Sequence, residues 1–205
     1  MVNVHHFPEQ IREYLQRENN FGLDIAISDE SDLLRDTGGG LQHAASLLCG
    51  NKVDTPTGSP EATHETPVLV HNVDILSNCS LNELMDAHLS HPGRAATLLV
   101  SERQTQRYLL FDADNRLCGW VHKGTGQTKP EGFVYEEGRY KEYAFSGIQV
   151  VSPALLRALP EGKYSIVDYY LAHVADTPVY AHAVPGLRLL DIGKPETLNK
   201  AEGFI

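Results

Sequence analysis

Hydrophobic and polar positions along this chain switch between two rhythms, and the switches predict its elements. Val2-Asn3-Val4 reads as the end of a strand, and Leu23 to Ser28 alternates as another. Between them Pro8 suits a first helical position, and Ile11, Tyr14 and Leu15 share one face of the helix that follows. Asp36-Thr37-Gly38-Gly39-Gly40 is a glycine-rich turn that leads into a helix through Ala44, Ala45 and Leu48. Residues 50–66 hold Gly, Pro, Thr and Ser without a period, which predicts a mobile surface loop. Val68-Leu69-Val70 is a short apolar run, typical of a buried parallel strand, and it ends in His71-Asn72-Val73-Asp74.

The second half changes character. Ser80 and Glu83 form a capping box before a helix that carries Leu84 and Leu89, and Ala96 to Val100 is another buried strand. Tyr108 to Phe111, a turn at Asp112 to Asn115, and Leu117 to Val121 predict a β-hairpin, so residues 105–144 read as an insertion. Phe145 to Val151 returns to the sheet, and Ser152-Pro153 starts a helix. A further helix runs from about Ile166 to Val174, a last strand leads to Leu189-Leu190-Asp191-Ile192-Gly193, and a short helix starts near Pro195. This order of βα units predicts one α/β domain with a mixed, mostly parallel sheet between helices. In such sheets ligands gather at the carboxyl ends of the strands, where Asp74 and Asp191 both stand.

Composition narrows the partners. A net charge of −10 argues against a nucleic-acid backbone and against a basic membrane-binding patch. It leaves room for a nucleotide, because one metal ion reverses the local sign. Three widely spaced cysteines, Cys49, Cys79 and Cys118, suggest neither a disulfide framework nor a zinc site, and a reducing cytoplasm fits them.

Three features carry candidate chemistry. Asp74 and Asp191 each follow an apolar strand and precede a loop; together they suit one magnesium ion, and singly each suits a turn or cap. The glycines at 38–40 remove side chains where a ligand approaches the backbone, or simply make a helix entry. Gly147, inside the Phe145-Ser146-Gly147-Ile148 strand, marks either close approach by a ligand or tight packing.

Taken in order, Val2 to His6, Leu34 to Gly40, Leu69 to Asp74, Phe145 to Ile148 and Leu190 to Glu196 resemble the sugar-phosphate nucleotidyltransferases. The resemblance is nearest the branch of mannose-1-phosphate guanylyltransferases and N-acetylmuramate-1-phosphate uridylyltransferases. It implies a Rossmann-like fold of the GT-A type, a nucleoside triphosphate and a sugar 1-phosphate as partners, and Mg2+ as cofactor. It implies that Asp74 and Asp191 hold the metal and serve catalysis. The turn from Asp36 through Thr37, Gly38 and Gly39 would pack on the nucleobase and ribose, with Glu30 and Asn72 on the nucleotide side. Ser146 and Gly147 would line the sugar, and the backbone of Tyr108 and Leu109 would approach it. Lys123 would stand in for the lysine that meets the sugar phosphate.

Three departures from the family pattern stand out. Val73 replaces the usual glycine before the metal aspartate, and Val121-His122-Lys123-Gly124 replaces a Glu-Lys-Pro run. The family also opens with a strand and a glycine-rich triphosphate loop. Met1 falls at what resembles the second strand, so a first βα unit, which takes roughly 30 residues or more, is expected to be missing, and the chain as given is expected to be inactive without the triphosphate loop. The implied reaction is in-line attack of a sugar 1-phosphate on the α-phosphorus of the triphosphate, with pyrophosphate leaving. Two rivals are a non-catalytic nucleotide or sugar-phosphate sensor, which would release no pyrophosphate, and a metal-dependent glycosyltransferase, which would consume a nucleotide sugar.

Overall fold

A computed structural model describes residues 1–49 and 66–204. The loop predicted over 50–66 falls, Thr66 apart, outside them. In chain order the elements are β1 (Val2–Val4), α1 (Pro8–Arg17), β2 (Ile27–Asp29), α2 (Asp36–Cys49), β3 (Val68–His71), β4 (Ile75–Ser77), α3 (Leu81–Leu89), β5 (Ala96–Ser101) and β6 (Arg107–Phe111). There follow β7 (Leu117–His122), β8 (Thr128–Lys129), β9 (Lys141–Val151), α4 (Pro153–Ala158), α5 (Ile166–Ala172), β10 (Val179–Ala183), β11 (Leu189–Asp191) and α6 (Pro195–Leu198). They group into two compact units, Met1–Thr66 with Pro153–Tyr169, and Pro67–Ser152 with Tyr170–Ile205.

In the first unit β1 and β2 pair in parallel, Val2 opposite Ile27 and Val4 opposite Asp29. The strand predicted from Leu23 is confined to Ile27–Asp29, because Asn19–Gly22 forms a 3-10 turn in which Asn20 and Phe21 take left-handed φ. The apolar face of α1 is half covered at Ile11 and Leu15 and exposed at Tyr14. The buried apolar residues of this unit are Val4, Leu41 and Ala44 with Leu155, Leu156, Leu159 and Ile166. Ala44 lies on α2 as the sequence predicts.

The second unit is built on a seven-stranded sheet in the order β10-β5-β9-β6-β7-β8, with β3 on the other edge of β9. Strands β3, β5 and β10 run the same way, as a mostly parallel sheet requires. Strand β9 lies between β3 and β5 and opposes both, so β5–β10 is the parallel ladder of this sheet and its other ladders are antiparallel. The reason is connectivity. The chain reaches β9 by way of the β6–β7 hairpin and not through a crossover helix, and parallel neighbours need a long crossover. For the same reason Val68 to Val70, expected as a buried parallel strand, is antiparallel to β9 and half-buried.

The hairpin itself follows its turn chemistry. Asp112 Oδ1 accepts from the backbone N–H of Asp114 and of Arg116, both at 2.9 Å, and Asn115 takes φ 63°. On α3 the hydroxyl of Ser80 accepts from the Glu83 N–H at 3.3 Å, as the capping box predicts. Leu84 of α3 is fully buried with Leu99, Ile148 and Val150. A smaller cluster joins Tyr108, Leu110 and Val121 with Phe133, Tyr135 and Tyr140 around the hairpin. Among the described residues no helix is long and apolar enough to cross a membrane.

Candidate active site

Asp74 and Asp191 meet because β4 and β11 are antiparallel. Their register sets Asp191 opposite Ile75, so the last residue of one strand stands beside the residue that precedes the other. The Ile192 N–H donates to the Asp74 carbonyl at 2.8 Å and clamps the two chain segments together. The Gly193 N–H donates to Asp191 Oδ1 at 2.9 Å and orients that carboxylate. A Cβ on Gly193 would stand 2.8 Å from Asp74 Oδ2 and 3.2 Å from Asp191 Oδ1. Both carboxylates therefore converge on a space that exists only because residue 193 has no side chain. Strand β4, which brings this about, was not legible in the sequence, where Asp74 reads as the end of the preceding apolar run. Val73, the departure from the family glycine, is 94% exposed and has an ordinary negative φ, so the turn forms without glycine there.

Two carboxylates around an open space suit a hard divalent cation, which takes oxygen ligands and keeps several waters when it is magnesium. Among the described residues no group of three His, Cys, Asp or Glu side chains is placed as metal ligands. A two-carboxylate site thus leaves the other positions to water or a phosphate ligand.

Asn72, expected on the nucleotide side, and Gly147, expected on the sugar side, come together, a contact the sequence does not announce. The Asn72 N–H donates to the Gly147 carbonyl at 3.0 Å. Gly147 has φ +83°, and a Cβ on it would stand 2.8 Å from Asn72 Nδ2. Glycine is required twice over, for the backbone conformation and for the asparagine. Ser146, on the strand expected to line the sugar, turns its side chain into the sheet. It is buried, and its hydroxyl donates to the Leu99 carbonyl at 2.7 Å and accepts from the Ile148 N–H at 3.2 Å. The β5–β9 register shifts between Leu98 and Val100, and the Ser146 hydroxyl closes that gap in the ladder.

Tyr108 and Leu109 are core residues by their side chains, 8% and 3% exposed. The Tyr108 hydroxyl accepts from the Thr105 N–H at 3.0 Å. Lys123 is held: its Nζ donates to Glu142 Oε1 at 2.7 Å and to the Tyr135 hydroxyl, and it lies 4.5 Å from the centre of the Tyr135 ring. Burial pulls the Lys123 pKa down, but the bonds to Glu142 and Tyr135 prevail and raise it, so the ammonium stays charged. The sequence does not announce Glu142 or Tyr135 as partners of Lys123: Glu142 on β9 reaches it through the β6–β7 and β6–β9 pairings, and Tyr135 lies in the segment between β8 and β9.

In the first unit the glycine run is packed against the scaffold. Gly38, Gly39 and Gly40 are all buried. A Cβ on Gly38 would stand 2.3 Å from the Tyr164 ring, one on Gly39 2.0 Å from the Gly162 carbonyl oxygen, and one on Gly40 2.8 Å from Glu30 Oε1. The N–H groups of Gly38 and Gly39 donate to the Tyr164 carbonyl at 2.9 and 3.4 Å, and the Thr37 N–H donates to Asp36 Oδ1 at 2.6 Å. The helix start is therefore capped by the protein, and the glycines let the segment carrying Gly162 and Tyr164 pack against it. Asp36 and Thr37 remain exposed. Glu30, expected near the nucleotide, is 1% exposed and accepts from Asn3 Nδ2 at 3.1 Å and from the Arg35 N–H at 3.0 Å. Its carboxylate anchors the turn that precedes α2.

No family model matches the chain. It is 25% identical over 209 aligned positions to the N-acetylmuramate alpha-1-phosphate uridylyltransferase of Caulobacter vibrioides, covering 98% of this chain and 75% of that protein. It is 24% identical over 182 positions to the mannose-1-phosphate guanyltransferase of Pichia angusta, covering 88% of this chain and 44% of that protein. Its fold matches that of HddC from Yersinia pseudotuberculosis with a TM-score of 0.70 at 18% identity, covering 100% of this chain and 78% of HddC. The chain is thus a mixed α/β protein that resembles the sugar-phosphate nucleotidyltransferases over nearly its whole length. The sequence likeness lies with the uridylyl- and guanylyltransferase branch, the one its motifs resemble.

Proposed function

We propose that the protein is a sugar-1-phosphate nucleotidyltransferase, which forms a nucleotide sugar and pyrophosphate from a nucleoside triphosphate and a sugar 1-phosphate. The observation that carries this reading is the convergence of Asp74 and Asp191 on the space above Gly193. In this reading the two carboxylates hold Mg2+, and the bound cation would neutralise charge on the α-phosphate. The protein's own contribution is placement, since phosphoryl chemistry of this kind depends on alignment and charge more than on a nucleophilic side chain. Asp191 is oriented by the Gly193 N–H, and Asp74 is fixed by the backbone clamp to Ile192. Asn72 and Gly147 offer a narrow polar wall beside the pair, and Lys123 offers a fixed positive charge for the sugar phosphate. Asp36 and Thr37 are the exposed part of the turn assigned to the nucleotide.

The test is a panel of four nucleoside triphosphates against several hexose 1-phosphates, read by pyrophosphate release and by the nucleotide sugar formed. In a protein that also carries the family's glycine-rich triphosphate loop, one triphosphate should give both products in equal amounts, and Asp191→Asn should remove most turnover. Consumption of a nucleotide sugar with release of a nucleoside diphosphate would instead establish a glycosyltransferase.

A further inference from the structure

Away from the carboxylate pair, the second unit holds a cleft of about 730 Å³ that the proposed reaction does not use. It opens at the carboxyl ends of β5 and β10, the parallel pair of the sheet, between residues 100–103 and 183–189. That is where small ligands of α/β sheets gather. None of Asp74, Asp191, Asn72, Gly147 or Lys123 lines it.

Its chemistry is specific. Arg103 and Arg188 both line it, and neither side chain donates a hydrogen bond or pairs with a carboxylate among the described residues. Arg188 is steadied by Phe204, whose ring centre lies 5.1 Å from its guanidinium carbon. Glu102 is the one carboxylate in the lining, so two arginines stand against one acidic residue there in a protein of net charge −10. Ser101, also in the lining, is 8% exposed, and its hydroxyl is buried without a hydrogen-bond partner among the described residues. A buried hydroxyl left unpaired is unfavourable. Val184, Leu187 and Leu189 supply an apolar wall.

We propose that this cleft is a binding site for an oxyanion carried on a small, partly apolar or carbohydrate body, a phosphate ester being the class that two guanidiniums fit best. Guanidinium groups bind phosphate through paired, charge-assisted hydrogen bonds, and the apolar wall packs the body of the ligand. The site stands independently of the metal assignment. Leu189 begins β11, the strand that ends in Asp191, so a ligand here bears on the strand that carries a candidate metal carboxylate.

The test uses the whole protein with EDTA present, which silences any metal-dependent phosphate binding. Titration calorimetry with inorganic phosphate should show binding that falls at least tenfold in the Arg103→Gln/Arg188→Gln double variant and persists in Arg17→Gln, a change at an exposed arginine of α1. Displacement of the bound phosphate by glycerol 3-phosphate supports a phosphate ester as the ligand; phosphate retained against it overturns that ligand class. Binding that survives the double variant, or that is lost in Arg17→Gln alone, overturns the proposal. A second readout needs no variant. Phosphate should protect Arg103 and Arg188 of the native protein from phenylglyoxal, and unprotected arginines would overturn the site equally.

Discussion

Gly39→Ala separates a structural glycine from a ligand-facing one. The added methyl would stand 2.0 Å from the Gly162 carbonyl oxygen and 2.9 Å from Arg35 Cβ. The nearer obstacle is backbone, not the end of a flexible side chain, so α2 or the facing segment must move. Overpacking of this kind costs about 1–3 kcal/mol. Movement also loosens the bonds that Gly38 and Gly39 donate to the Tyr164 carbonyl, at about 1 kcal/mol each. The better helix propensity of alanine returns about 1 kcal/mol. The net loss is then about 2–4 kcal/mol against a typical domain stability of about 5–15 kcal/mol. For a chain of this size that corresponds to a fall in Tm of roughly 4–16 °C. Differential scanning calorimetry of Gly39→Ala beside Gly203→Ala, where a Cβ would meet nothing within 4 Å, measures it directly. An unchanged Tm for Gly39→Ala, accompanied by weakened nucleotide binding, would refute the packing role and restore the glycine turn as a ligand cradle.

Ser146→Ala removes the group that satisfies the Leu99 carbonyl at the β5–β9 irregularity, and should cost about 1–3 kcal/mol in urea unfolding. Gly193→Ala keeps a backbone conformation open to alanine yet places a methyl between the two carboxylates; Mn2+ affinity should fall at least about tenfold, or about 1.4 kcal/mol, with Tm held or slightly raised. His88 and His182 both have pKa values lowered first by burial, with Arg94 also pushing each down and Glu83 opposing at His182. Because the folded pKa lies below the unfolded one, the stability they contribute is complete above the ordinary histidine pKa of about 6.5 and is lost as pH falls below it. Tm measured from pH 8 to pH 5 should therefore decline, and His88→Gln should decline less steeply than the native protein; parallel profiles would exclude that histidine as a source.

What was legible in the sequence followed from local rules. The capping box at Ser80, the turn at Asp112 to Asn115 and the buried strand at Ala96 to Val100 each rest on residues close in the chain, and each forms as predicted. The apolar strand before Asp191 likewise ends at that residue as predicted. Less legible was everything set by partners distant in sequence. Residues Ile75–Ser77 are too short a run to announce β4, and their strand exists because Leu189–Asp191 pairs with them. The hydroxyl of Ser146 turns into the sheet because of an irregularity in another strand, and the glycine run packs against residues more than a hundred positions away. A glycine in a sequence announces close approach without saying what approaches. At Gly147 and Gly193 the neighbours are side chains of the candidate site, whereas at Gly38 and Gly39 they belong to the scaffold.

The most direct test of the central claim is Mn2+ binding followed by electron paramagnetic resonance in the native protein, Asp74→Asn, Asp191→Asn and the double variant. A metal centre built from both carboxylates requires one bound Mn2+ in the native protein, weakened strongly by either single change and absent from the double variant. Equal Mn2+ binding in the native and double-variant proteins, with both folded, would contradict it.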